Sequence, residues 1–305
     1  MTTVSVVVCT LGEEWLSGAL RSLEGQTFSP DEVVIVYKAP RSKVEKQLDG
    51  SRLNLKLVEQ REGYVTGALN LGRMSVQSDV TLFLDDDARA PPVWVERYVK
   101  MFAEDSGTAC FSSRDILSGL DGVTRKPPDA GASVALYRRF VRPWLHPPLP
   151  LLKKYSKGVY VSKRFKVTSG PLVPWKQCPS LPYRGANMAV ATDPLKRAVF
   201  PERPGLRRGL GYEQYLGLRL VMMGHTLRYT PDNPVTHLVR PSLSRSVPRR
   251  EEEAERQIME EMLRELVARR KSSWKQKPPA QEARIGSALI LPSDHSLGAQ
   301  QSALV

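Results

Sequence analysis

Two kinds of apolar run divide the first hundred residues. "VSVVVC" (4–9) and "EVVIVY" (32–37) are short, β-branched and nearly unbroken, the pattern of strands buried on both faces of a parallel sheet. Between them Trp15, Leu16, Ala19, Leu20 and Leu23 recur at helical spacing, which predicts a β-α-β unit. "NLKLV" (54–58) and "DVTLFL" (79–84) predict two further strands, with Val65, Ala68, Leu69 and Val76 marking one face of a helix between them. Pro91 and Pro92 suit the first turn of another helix, which Val95, Tyr98, Val99 and Phe102 continue. Strands alternating with helices predict an α/β fold.

Beyond residue 119 the pattern loosens. Residues 125–166 carry eleven Lys or Arg against one acid, Asp129, around the segment "PWLHPPLPLL", whose prolines oppose a regular helix. This basic stretch reads either as a solvated loop or as a surface for anionic headgroups. Regularity returns with "GYEQYLGLRLVMMG" (211–224), read as a helix, and "LRYTPDNPVTHL" (227–238), read as strand, turn and strand. Over 250–271, Met259, Met262, Leu263, Leu266 and Val267 share one face, with acids at the start and bases at the end, as a helix dipole favours. The expected organisation is a domain over 1–245 with a basic, partly irregular insertion at 119–180. An amphipathic helix over 246–275 and a disordered polar tail over 276–305 follow.

Charge narrows the choice of partner. The 305 residues carry a net +13, which suits phosphorylated substrates, anionic membranes or nucleic acid. No aromatic-interleaved basic motif or recognition helix supports nucleic acid. Cys9, Cys110 and Cys178 are widely spaced and suggest neither a zinc site nor a disulfide framework. With no apolar run of spanning length, the expected location is the cytoplasm, peripheral to the cytosolic face of a membrane.

Against this basic background "FLDDDA" ends a predicted strand with three carboxylates. Strand ends of open α/β sheets hold ligands, and Asp85 and Asp87 supply hard oxygen ligands suited to Mg or Mn. Asp-x-Asp after a strand also opens the haloacid-dehalogenase-like phosphatases. Their motif usually follows the first strand and continues to Thr or Val, where this chain has Arg89.

Taken in order, "VSVVVCTLGEEWLSGALRSLEGQTFSPDEVVIV", "REGYVTGALNLG", "VTLFLDDDARAPPVWVERYVKMF", "YRGANMAVATDPL" and "GYEQYLGLRLVMMGHTLRYTPDNPVTH" resemble a family 2 glycosyltransferase of the GT-A fold over most of residues 3–238. The resemblance implies a Rossmann-like, mostly parallel sheet flanked by helices, with the C-terminal helix and tail outside it. It also implies an inverting transfer of one sugar from a UDP- or GDP-sugar to a hydroxyl of a saccharide or lipid-linked acceptor, with Mn or Mg as cofactor. By resemblance Asp85, Asp87 and His237 form the metal site, with Asp87 holding the ion, Asp85 reaching the ribose or a metal-bound water, and His237 completing the site. Thr10, Gly63, Gly67, Asn70, Asp85 and Asp86 fall on the donor side, Asp86 with no individual role, and Gly185 and Asn187 lie at the donor and acceptor pocket. Glu213 aligns with the general base.

The chain departs from the family pattern at Tyr37 and Lys38, where an acidic base-recognition residue is usual, at Leu69 in place of Arg, and at Tyr212 in place of Glu. These changes leave the nucleotide open, and with it the alternative of a non-catalytic protein that binds a nucleotide sugar or lipid phosphate. No Gln-x-x-Arg-Trp signature of processive synthases is present.

Overall fold

The computed structural model describes residues 2–125, 131–239 and 248–275. The expected strands form where the β-branched runs stand: β1 (Val4–Thr10), β2 (Glu32–Tyr37), β3 (Leu55–Glu59) and β4 (Val80–Asp85). They lie side by side in parallel, with β1 between β2 and β4. Their intervening helices are α1 (Leu16–Glu24), α2 (Arg41–Leu48) and α3 (Val65–Ser75). A two-residue strand, β5 (Ala88–Arg89), follows the acidic triplet, and α4 (Trp94–Glu104) leads to β6 (Thr108–Ser112), β7 (Asp115–Gly119) and β8 (Thr124–Arg125).

The basic stretch is more ordered than its composition predicts. It contains helices α5 (Ala132–Phe140) and α6 (Arg142–Leu145), a 3-10 turn (Pro150–Tyr155), the hairpin of β9 (Val159–Val161) with β10 (Val167–Ser169), and β11 (Cys178–Pro179). Pro143 falls in the first turn of α6 and Pro150 in that of the 3-10 turn, where a missing N–H costs nothing. Then come β12 (Asn187–Ala191), α7 (Thr192–Arg197), α8 (Tyr212–Met222), β13 (Thr226–Tyr229), β14 (Val235–Val239) and α9 (Arg249–Lys275). The expected polar tail, 276–305, lies outside the described residues.

The main sheet runs β11-β13-β6-β12-β4-β1-β2-β3. It is mostly parallel, with β12 inserted antiparallel between β6 and β4. Alternate residues of β1 serve opposite layers. Val4, Val6 and Val8 pack with α1, α2 and α4, while Val7 packs with α3, α8 and α9. The result is a sheet covered on both faces, the arrangement that continuous apolar strands require. The predicted strand, turn and strand at 227–238 does not form a hairpin. β13 pairs with β6 in the main sheet, whereas β14 leaves for a second sheet ordered β5-β14-β7-β8. The amphipathic face of α9 is buried as expected, with Met259, Met262, Leu263 and Val267 packed into the core.

Candidate active site

The acidic triplet stands where β4 ends, and the second sheet brings it a histidine. β14 pairs antiparallel with β5, setting His237 opposite Ala88, and the Leu238 amide donates to the Asp87 carbonyl at 3.0 Å. The His237 Nε2 then lies 3.0 Å from Asp87 Oδ1 and 4.0 Å from Asp85 Oδ2. One ligand atom from each of Asp85, Asp87 and His237 falls within 4.8 Å of the others. The far nitrogen, Nδ1, is 3.2 Å from Asp115 Oδ2 on β7, the parallel neighbour of β14. A carboxylate behind a ligating imidazole fixes its orientation and frees the other nitrogen for a cation. Two carboxylates and an imidazole converging in this way form a donor set that suits a divalent cation.

The electrostatics reflect the crowding of acids. Burial alone would lower the His237 pKa, but its hydrogen bonds to Asp115 and Asp87 and the charge of Asp85 raise it to about 10. Asp85 is pushed up to about 7, first by partial removal from bulk water and then by its acidic neighbours, with His237 opposing. Its side chain remains 47% open toward the cavity.

Asp86 acquires a definite place. It is buried and accepts a 2.7 Å hydrogen bond from the Thr10 hydroxyl, which in turn accepts from the Gly12 amide at 3.0 Å. This pair ties the end of β1 to the end of β4. Both line a cavity of about 310 Å³ together with Asp85, Asp87, His237, Gly63 and the cationic Lys38, Arg207 and Arg208. Lys38, one of the departures, closes the cavity rim by donating to the Gly63 carbonyl at 2.8 Å and lying over the Tyr64 ring. Tyr37 and Leu69 are core residues.

Several predicted donor residues are engaged within the protein. Asn187 has no exposed surface. Its Oδ1 accepts from Trp94 Nε1 (2.9 Å) and the Tyr98 hydroxyl (2.7 Å), and its Nδ2 donates to the carbonyls of Arg114 (3.0 Å) and Asn233 (2.9 Å). An amide with every hydrogen bond satisfied internally is a structural hub, engaged within the protein where the sequence reading placed it at the donor and acceptor pocket. Asn70 likewise holds the 200–202 segment, accepting from the Phe200 amide at 3.0 Å and donating to its carbonyl at 3.1 Å. A Cβ on Gly67 would meet the Gln60 amide at 3.2 Å. Gly185 is needed for Tyr212, since an added Cβ would lie 1.7 Å from the tyrosine hydroxyl. The missing side chain admits a residue of this chain.

Glu213, in the first turn of α8, lines a second cavity of about 390 Å³ with Lys166, Arg184, Gly211 and the α9 residues Glu253, Arg256 and Glu260. Burial raises its pKa above the usual carboxylate range, with Arg184 opposing. Arg184 also approaches Asp115 at 3.9 Å, so Asp115 and Arg184 link the histidine cluster to the cavity that Glu213 lines. The loop before α8 is clamped from α9. The Glu255 carboxylate accepts from the amides of Arg208 (2.6 Å) and Gly209 (2.8 Å) and pairs with Arg208 Nε at 2.7 Å. Asp115, Arg208 and Glu255 were not among the residues expected from sequence.

The glycosyl transferase family 2 model matches residues 5–170, more than half of the chain. The chain belongs to this family. Solved structures agree on the GT-A fold. GalNAc-T7 with UDP, GalNAc and Mn2+ superposes on this glycosyltransferase with a TM-score of 0.58 at 16% identity, over 79% of this chain and 44% of that one. S. aureus TarS 1–349 in complex with UDP-GlcNAc gives 0.54 at 16% identity, over 81% and 62%. A further structure of S. aureus TarS 1–349 gives 0.50 at 17% identity, over 78% and 60%. The chain thus spans less than two thirds of the length of these structures. No curated protein matches it by sequence. No helix among the described residues is long and apolar enough to cross a membrane.

Proposed function

We propose that this glycosyltransferase moves one sugar from a UDP- or GDP-sugar to a hydroxyl of a saccharide or lipid-linked acceptor, with inversion and with Mn or Mg as cofactor. The observation that carries the reading is the convergence of Asp85, Asp87 and His237 in one cavity with Lys38, Arg207 and Arg208. Acidic ligands beside cationic side chains suit a metal diphosphate, whose two components carry opposite charge. The neighbours GalNAc-T7 and TarS, whose structures hold UDP or a UDP-sugar, support a nucleotide-sugar donor.

Asp85, Asp87 and His237 would hold the divalent cation, which when bound supplies positive charge for the departing diphosphate. Asp115 keeps the imidazole oriented with Nε2 toward the acids. Lys38 and Arg207 line the same cavity and favour the anionic donor, while Arg208 on its wall is neutralised by Glu255. The acceptor oxygen attacks the anomeric carbon, the bond from that carbon to the phosphate oxygen breaks, and the nucleoside diphosphate leaves with the bonding pair. The Glu213 carboxylate takes the acceptor's proton, and its raised pKa makes it a stronger base than an ordinary glutamate.

The test measures nucleoside diphosphate release from UDP- and GDP-sugars with Mn or Mg. Turnover or donor hydrolysis that needs a divalent ion and is lost in Asp87→Ala is the expected result. Absence of release with every donor, together with unchanged donor binding by Asp87→Ala, would overturn the proposal. Donor binding with no turnover in any condition would instead favour the binding-protein alternative.

A further inference from the structure

The helical run of α5 and α6 is amphipathic in the wrong sense for a solvated surface. Val141 between the two helices keeps right-handed helical dihedrals, so i, i+4 spacing carries through. Leu136, Phe140 and Trp144 form one row, and Tyr137, Val141 and Leu145 form the next. All six are exposed, Trp144 at 88%. Two of the three arginines of the same run turn inward, while Arg139 stays exposed at its edge. Arg138 is buried and donates to the Val173 carbonyl at 3.1 Å, and Arg142 donates to the Ser169 carbonyl at 2.9 Å. The arginines bolt the run to the protein and leave its apolar face outward, the reverse of an ordinary surface helix.

The surroundings say what would cover it. Trp175 is exposed beside the run, across a groove that also holds Arg139, Lys157 and Lys176. From residue 131 to 176 the chain has ten Lys or Arg and no Asp or Glu. An apolar patch with tryptophans, bordered by a groove whose charged lining residues are Arg139, Lys157 and Lys176, matches the two components of a bilayer interface: acyl chains beneath and anionic headgroups above. A partner protein would need an acidic rim around an apolar centre, whereas an anionic leaflet presents both without special design.

We propose that α5, α6 and Trp175 form a membrane-docking surface that inserts Leu136, Phe140 and Trp144 into an anionic leaflet while Arg139, Lys157 and Lys176 engage its phosphates. This goes beyond the transfer reaction and does not depend on it. Docking of this kind would bring a lipid-linked acceptor to the enzyme by confinement to a surface.

Sedimentation of the full chain with phosphatidylcholine vesicles, with and without phosphatidylglycerol, tests the proposal. Binding is expected only with phosphatidylglycerol present. Arg139→Gln, Lys157→Gln and Lys176→Gln combined should weaken it about a hundredfold, at about fivefold for each base removed from the surface. Leu136→Ser, Phe140→Ser and Trp144→Ser combined should abolish it while leaving the far-UV spectrum and the vesicle-free release of nucleoside diphosphate unchanged. Equal binding by wild type and the serine variant would overturn the proposal. So would absence of vesicle binding in a wild type that elutes as a dimer and becomes monomeric in the serine variant, since a second copy would then be the occupant. Failure of nucleoside diphosphate release bears on the transfer reaction alone.

Discussion

Replacing Glu255 by alanine should loosen the donor cavity from outside. The residue lies in the first half of α9, yet its carboxylate makes three hydrogen bonds of 2.6–2.8 Å to Arg208 and Gly209. Both side chains of the ion pair are buried, at 6% and 3% exposure. Truncating one partner leaves the guanidinium charge desolvated and unpaired, a loss of about 3–5 kcal/mol. Two backbone amides lose their acceptor as well, and water entering the vacated space offsets part of that. We expect a net loss of about 4 kcal/mol, a large share of the 5–15 kcal/mol typical of a domain. The assay is urea unfolding followed by circular dichroism on wild type, Glu255→Ala, Arg208→Ala and the double variant. The double variant should lose about 2–3 kcal/mol less than the sum of the single variants, because removing both charges leaves none stranded. Since Arg208 lines the cavity beside Asp85, donor affinity should fall in Glu255→Ala. A loss below about 1 kcal/mol with additive singles and unchanged donor binding would refute the reasoning and reduce the pair to a surface contact.

Two further outcomes follow from the site. Asn187→Ala removes an amide that satisfies four partners, three of its bonds fully buried, and should cost about 2–4 kcal/mol in the same urea assay, with donor affinity of the folded protein unchanged. Intact stability with weakened donor binding would reinstate a ligand-facing role. Burial raises the Glu213 pKa, and only the ionised carboxylate accepts a proton. Turnover should therefore fall as pH drops through that raised value, above the range of ordinary carboxylates, and Glu213→Gln should abolish turnover while retaining donor binding. Glutamine-variant turnover close to wild type would remove Glu213 as the base.

Legibility in the sequence followed the distance over which each feature is determined. β1 to β4 were visible because a strand covered on both faces needs an unbroken apolar run, a local property. The acidic triplet was visible for the same reason, as three like charges ending such a run. Asp115 was not, because its value arises from the parallel pairing of β7 with β14, which brings His237 to it across 122 residues. Asn187 belonged to a segment whose small residues suggested ligand approach, while its partners Trp94, Arg114 and Asn233 come from three separate places. Glu255 did leave a signal. It stands one helical turn before Met259, in line with the buried stripe of α9, and a charge in an apolar row needs a partner. The order within the basic stretch was hidden by prolines that prove compatible with first-turn positions.

The insertion of β12 between β4 and β6 has a consequence for how the enzyme comes into being on a ribosome. Strands β1 to β4 can associate as they emerge, but β6 reaches the sheet only through a strand made some eighty residues later. The stretch matched by the family model, 5–170, holds Asp85, Asp87 and Asp115 but neither β12, Glu213 nor His237. A nascent chain of that length carries three acids without their histidine and a sheet open at β4. Catalytic competence would thus arrive in one late step, when the chain's second half threads back through its first, and long-range closure of this kind is slow.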